Sequence, residues 1–186
     1  MNPNRSLVNI MFVVDTNCVN ARQSMPEMNR LEQWAENGII TLETTEVAQS
    51  EMIFGNSQIR KAKAYSFVFT MSEIFIDEER KVLSKIENIL FPLGTTNQNQ
   101  KNDVEIVFNA FKYSPLITND GGSKSQPSGI LGNRDKLLSL GIKVITPQEA
   151  IQIVLAALEA RDNYARQWHS LHGGNLPFWV GQDINA

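Results

Sequence analysis

Apolar and polar positions change period repeatedly along the chain, from nearly unbroken apolar runs to a three-and-four spacing and back. Residues 7–14 form a branched, almost continuous apolar run, the pattern of a parallel strand buried on both faces. Residues 39–42, 115–118 and 141–145 repeat that pattern in shorter form. Between these runs the period becomes helical. Ser24-Met25-Pro26-Glu27 has the form of a capping box with Pro early in the first turn, and Met25, Met28, Leu31 and either Trp34 or Ala35 follow at helical spacing up to Gly38, a left-handed stop. Thr44 and Thr45 offer an N-cap to a helix over 46–52. Residues 77–90 predict a helix with an acidic first turn and with Val82, Leu83, Ile86, Ile89 and Leu90 on one face, ended by Pro92 and Gly94.

An amide-rich loop is predicted over 95–102. A helix then starts at Asn102, with Asp103 in its first turn and Val104, Val107, Phe108 and Phe111 as its buried stripe. Residues 133–140 read as a short helix. Thr146-Pro147-Gln148-Glu149 is a second capping box, opening a long helix whose apolar face carries Ile151, Val154, Leu155 and Leu158. Phe67-Val68-Phe69 suits a strand and a buried helical turn equally, and stays unassigned. Strands and helices alternating from end to end predict an α/β fold, a mostly parallel central sheet with helices on both faces. Residues 1–160 are expected to form the domain. Residues 161–186 form an aromatic extension packed on the domain or on a second copy, so a homodimer is an expectation of the tail.

Composition and charge narrow this picture. A formal net charge of −3 argues against adhesion to nucleic acid through a broadly basic surface. It leaves nucleic acid open as a substrate, because acids gathered in a cleft are neutralised there by cations. The lone Cys18 excludes an intramolecular disulfide, fits a reducing, cytoplasmic setting, and reads as a small buried residue. The first apolar run, broken by Asn9 and stopped by Asp15, is too short to span a membrane. His169 and His172 lack further nitrogen or thiolate ligands, so they read as part of the aromatic packing.

Four acids share a placement at strand ends or on helices near them. Asp15 follows the first strand, Asp120 follows residues 115–118 in the turn Asn119-Asp120-Gly121-Gly122, and Asp103 lies one helix before Asp120. Glu51 lies within the second helix. Glu46 competes with it, but the helix dipole accounts for an acid at Glu46 and not at Glu51, which favours Glu51. In open parallel sheets such positions converge on the carboxyl edge. Two carboxylates 4 Å apart repel by about 4 kcal/mol at an effective dielectric of 20, so four together call for a cation. Carboxylate oxygens without Cys or His select hard ions, Mg²⁺ or Mn²⁺. Arg60, Lys61 and Lys63 form the densest basic group, read as a solvated helix face or as a phosphate-contacting rim. The Gly- and Ser-rich residues 121–132 read as a flap or a plain connection.

With these residues in place the sequence resembles the PIN domain family, metal-dependent nucleases of the PilT N-terminus type. The resemblance is carried by Val13-Val14-Asp15-Thr16-Asn17, Ala48-Gln49-Ser50-Glu51-Met52, and Asp103 with Ala110 on its helix. Leu116-Ile117-Thr118-Asn119-Asp120 and Gly141-Ile142-Lys143-Val144-Ile145-Thr146-Pro147 complete the order, from about residue 7 to about residue 158. It implies a three-layer α/β/α sandwich, one or two Mg²⁺ or Mn²⁺ ions, and hydrolysis of RNA phosphodiester bonds by metal-activated water. It also implies that Asp15, Asp103 and Asp120 hold metal or metal-bound water, that Glu51 completes the set, and that Asn17 and Thr118 orient the ligands. Many small members of that family are toxins held by an antitoxin, so the resemblance admits a protein inhibitor as a partner. The rival expectation is a catalytically inactive domain of the same fold that binds RNA or protein.

Overall fold

The computed structural model describes residues 2–5, 8–19, 23–54, 57–65, 67–70, 76–112, 114–122 and 128–185; the side chains of residues 60, 64 and 68–70 also lie outside the description. Strands β1 (Ile10–Val14), β2 (Ile40–Thr45), β3 (Val68–Thr70), β4 (Leu116–Ile117) and β5 (Val144–Ile145) form one sheet in the order β3-β2-β1-β4-β5. Every pairing is parallel. The helices are α1 (Pro26–Glu36), α2 (Glu46–Phe54), α3 (Gln58–Ala64), α4 (Asp77–Leu90), α5 (Gln98–Lys112), α6 (Arg134–Leu138) and α7 (Pro147–His172).

The alternation of side chains along each strand explains the layers. Phe12 and Val14 of β1, Ile117 of β4 and Ile145 of β5 belong to a core shared with α1 and α7. Val13, Leu116 and Val144, the residues between them, belong to a second core with α2, α4, α5 and α6. A sheet with apolar side chains on both faces needs cover on both, and the result is an α/β/α sandwich. The expected fold class is the observed one.

Local boundaries differ from the expectations where capping chemistry was misassigned. The box at Ser24 does not form: α1 begins at Pro26, Met25 is the N-cap and makes no side-chain cap bond. Pro favours the first helical position, and that places Ser24 one residue too early. Helix α5 begins at Gln98 inside the predicted loop, because Asn97 Oδ1 accepts from the Gln100 backbone N–H while Gln100 Oε1 accepts from the Thr96 N–H. This reciprocal cap uses amides in place of the Ser and Glu of the usual form. The box at Thr146 does form, with both bonds present. Helix α7 then runs 26 residues, so the boundary drawn at residue 160 falls inside it. The unassigned aromatic run supplies β3 at the sheet edge. No helix among the described residues is long and apolar enough to cross a membrane.

After α7 the chain folds back onto the domain. Asp183, 2% exposed, accepts from Arg5 and from Arg161, and the Trp34 indole donates to the Asp183 carbonyl. Arg161 also binds Asp162, whose Oδ2 accepts from the Gly181 N–H. The Arg161 guanidinium lies 4.5 Å over the Trp179 ring. One buried ionic cluster therefore ties the tail to Arg5 and to α7. His169 and His172 both lie against Trp168, and His172 stacks on its ring at 4.3 Å.

Candidate functional site

The chain enters the sheet at β1, builds outward to β3, then returns to the other side of β1 to add β4 and β5. The strand order therefore reverses between β1 and β4, the place in a parallel sheet where a crevice opens beyond the carboxyl ends. Val14 pairs with Ile117 there, and the next residues on each strand are Asp15 and Thr118. By alternation Asp15 continues the side of Val13 and Thr118 that of Leu116, toward α2 and α5.

Asp15 is buried, 4% exposed, and held by two side chains on one oxygen. Its Oδ2 accepts from Thr118 Oγ1 at 2.6 Å and from Asn17 Nδ2 at 2.6 Å. Asn17 also donates to Thr118 Oγ1 at 3.1 Å and accepts from the Asn119 N–H at 2.9 Å, tying together the exits of both strands. The Asp15 carboxyl is raised to about 6: burial drives the rise, the bonds from Thr118 and the Thr16 backbone oppose it, and the charges of Asp120 and Glu51 add to it. Neighbouring Cys18, also buried, has its thiol pushed up to about 12 by burial and then by Asp15, which keeps it protonated and inert.

Glu51 reaches the same crevice from α2. Its Oε2 accepts from Thr16 Oγ1 at 2.7 Å and its Oε1 from Asn102 Nδ2 at 2.6 Å. Asn102 is in turn held by Gln98, whose Nε2 donates to Asn102 Oδ1 at 2.9 Å. Sequence reasoning gave Thr16 no role of its own and missed Asn102 altogether. The available signal was a polar residue on the buried side of a helix, since Asn102 stands one turn before the buried Ile106.

Asp103 lies in the second turn of α5, one turn deeper than a helix start at Asn102 would place it. No hydrogen bond or ion pair holds its carboxylate among the described residues. That carboxyl is raised to about 7, by burial first and then by the charges of Asp15, Asp120 and Glu51. Asp120 is engaged differently. Its Oδ1 accepts from the Gly122 N–H at 3.1 Å and its Oδ2 from the Ile130 N–H at 2.8 Å, so it pins the two ends of the loop. Residues 123–127 between them lie outside the described residues. Gly129 is required here: its φ is +56°, and a Cβ would stand 2.4 Å from the Gly122 nitrogen and 2.5 Å from the Asp120 carbonyl oxygen.

The competing acid Glu46 sits in the exposed first turn of α2. Its electrostatic neighbour is Glu105, whose carboxyl is raised by burial first and by Glu46 second. Glu51, by contrast, acts on Asp15 and Asp103. The basic rim needs correction at Lys63. That ammonium pairs with Glu32 of α1 at 2.7 Å and lies over the Phe67 ring, in a cavity lined by Ile40, Thr41 and Leu42. Those residues form the amino-terminal half of β2, whereas the acids lie beyond the carboxyl ends. Lys61 makes no described ion pair with the acids, and the Arg60 side chain lies outside the described residues.

Among the described residues no lysine or arginine forms an ion pair with Asp15, Glu51, Asp103 or Asp120. The donor set, carboxylates with hydroxyl and amide support, suits a hard divalent cation. The shell is not closed: no three His, Cys, Asp or Glu among the described residues stand at metal-holding separations. Comparison with protein-family models and with curated proteins finds no match. Among solved structures, the chain is similar to a chain of the crystal structure of VapBC2 from Rickettsia felis bound to a DNA fragment from their promoter. That likeness has 17% identity, covers 74% of this chain and 98% of that one, and has a TM-score of 0.45. At that identity and score nothing about the site is carried across.

Proposed function

We propose that the protein is a metal-dependent endoribonuclease of the PIN type, hydrolysing RNA phosphodiester bonds with Mg²⁺ or Mn²⁺ at the β1–β4 crevice. The observation that carries this reading is electrostatic. Asp15 and Asp103 are raised to about 6 and about 7 in a crevice they share with Asp120 and Glu51, and no described cationic side chain pairs with any of the four. Acids so placed are costly to ionise together without a cation, and such an arrangement is more readily explained by binding than by folding. When bound, a divalent cation supplies Lewis acidity, lowering the pKa of an attacking water and offsetting charge on the phosphate.

The protein's own groups divide the remaining work. Thr118 and Asn17 fix Asp15 so that its carboxylate need not reorganise when charge arrives. Thr16 and Asn102 do the same for Glu51. Each oxygen of Asp120 has a second lone pair beyond its backbone bond, so that residue can hold the loop and still face a cation. Asp103, which accepts no hydrogen bond from the described residues, has both carboxylate oxygens available to a cation.

A second reading, a catalytically inactive module that binds RNA or protein, is favoured by one observation, the open spacing of the carboxylates. Labelled single-stranded RNA incubated with the protein in Mn²⁺, in Mg²⁺ and in chelator separates the two. The nuclease reading predicts cleavage that needs metal and is lost in Asp15→Asn purified alongside. Metal-independent cleavage, or equal cleavage by the variant, identifies a contaminant and defeats the proposal. A toxin role, with the protein inhibitor it entails, is carried by the sequence resemblance alone and forms no part of this proposal.

A further inference from the structure

A cleft of about 900 Å³ opens beside the acids, and Glu51 and Asn102 belong to both. Its lining includes Phe54, the last residue of α2, which is 94% exposed. Glu46 on α2 and Glu105 on α5 line the cleft together with Gln98 and Asn99, and the two carboxylates are electrostatic neighbours. Such a lining repels phosphate. It suits a neutral, flat group rich in hydrogen-bond donors, with an aromatic ring offered for stacking.

Resting on the nuclease reading above, we propose that this cleft takes a guanine base from the RNA strand next to the cleaved phosphate, stacked on Phe54 and donating to Glu46 and Glu105. The choice among bases follows from their edges. Ionised carboxylates only accept, and guanine presents two adjacent donors, N1–H and N2–H, on its Watson–Crick edge. Adenine and cytosine present one donor beside a ring acceptor, and uracil one donor between two carbonyls, so each sets an acceptor against the acids. Single-stranded RNA is read in this way, by splayed bases stacked on aromatic side chains and bonded along their edges. The shared residue Glu51 makes the cleft continuous with the crevice, which lets one strand occupy both.

The test keeps base recognition apart from hydrolysis. The ¹⁵N-labelled protein in chelator is titrated with guanosine, adenosine, cytidine or uridine, and the side-chain amide signals of Gln98, Asn99 and Asn102 are followed. Guanosine should shift them saturably and the other nucleosides weakly, with Phe54→Ala weakening guanosine about ten-fold. Equal responses to all four nucleosides, no response, or a stronger saturable response to N-acetyl-arginine amide would overturn the proposal, the last assigning the cleft to a protein guanidinium. In the metal-loaded protein, oligoadenylate with a single guanosine should be cut beside it, and Glu105→Gln should reduce that preference. Because the titration uses neither metal nor cleavage, its failure leaves the hydrolytic reading standing, and failure of cleavage leaves the cleft testable.

Discussion

Two regions of this molecule bury acids and treat them in opposite ways. At the back, Asp162 and Asp183 are fully or almost fully buried and are met by Arg161, with Arg5 also on Asp183. Burial opposes the charge of Asp183, yet the bonds and charges of Arg5 and Arg161 hold its carboxyl below the usual range. At the crevice, Asp15 and Asp103 meet hydroxyls, amides and other acids, and both carboxyls are raised. The same residue type therefore marks a structural clasp where its charge is cancelled and a binding site where it is left standing. The partner of each acid, more than its burial, separates the two roles.

The contrast breaks most sharply at the clasp. Arg161→Met should destabilise the fold by about 3–5 kcal/mol, because buried Asp162 loses its counter-charge and Asp183 is left with Arg5 alone. Chemical denaturation checks this, and a loss below 1 kcal/mol would mean the clasp is incidental. Gly129→Ala should cost about 1–2 kcal/mol for its left-handed backbone alone. It should also weaken the Mn²⁺ response, because the added carbon displaces Asp120. Thr118→Val should lower metal affinity about 10–100-fold and cost about 1–3 kcal/mol in chelator, because the buried hydroxyl donates to Asp15 and accepts from the Asp120 N–H.

The smallest effect is also the most specific. Asp103→Asn should stabilise the metal-free protein by about 1 kcal/mol at pH 8, since it deletes a charge the fold disfavours. The pH dependence has the same origin. Asp15 and Asp103 bind protons more tightly folded than unfolded, so at pH values between the ordinary carboxylate range and about 7 the native state carries more protons. Stability in chelator should therefore fall as pH rises from 5 to 8, and Asp103→Asn should flatten that slope. The clasp runs the other way: Asp183, depressed, contributes above the ordinary carboxylate range and loses its contribution in stronger acid. Melting curves across that range, for both proteins, separate the two regions.

Much of this architecture was legible because the signals were local. The run ending at Asp15, the helix Asp77–Leu90 and the capping box at Thr146 each carry their own start or stop, and each lies where it was expected. The start of α5 was not legible, since Asn97 and Gln100 cap it with amides that in sequence resemble a loop. The supports of Glu51 were hidden for a different reason: Thr16 and Asn102 lie 35 and 51 residues from it, and only the fold joins them. Lys63 shows the converse error. A run of basic residues says nothing of direction, and the pairing with Glu32 takes that ammonium to the other end of β2.

Calorimetric titration of the protein with Mn²⁺ at pH 7, in two buffers of different ionisation enthalpy, tests the central claim most directly. If the crevice is a cation site made of raised carboxylates, Mn²⁺ binds saturably and expels protons, and the measured heat differs between the buffers. The double variant Asp15→Asn, Asp103→Asn then shows neither heat nor proton release. Absence of binding by the folded wild-type protein, or identical binding by the double variant, would contradict the account.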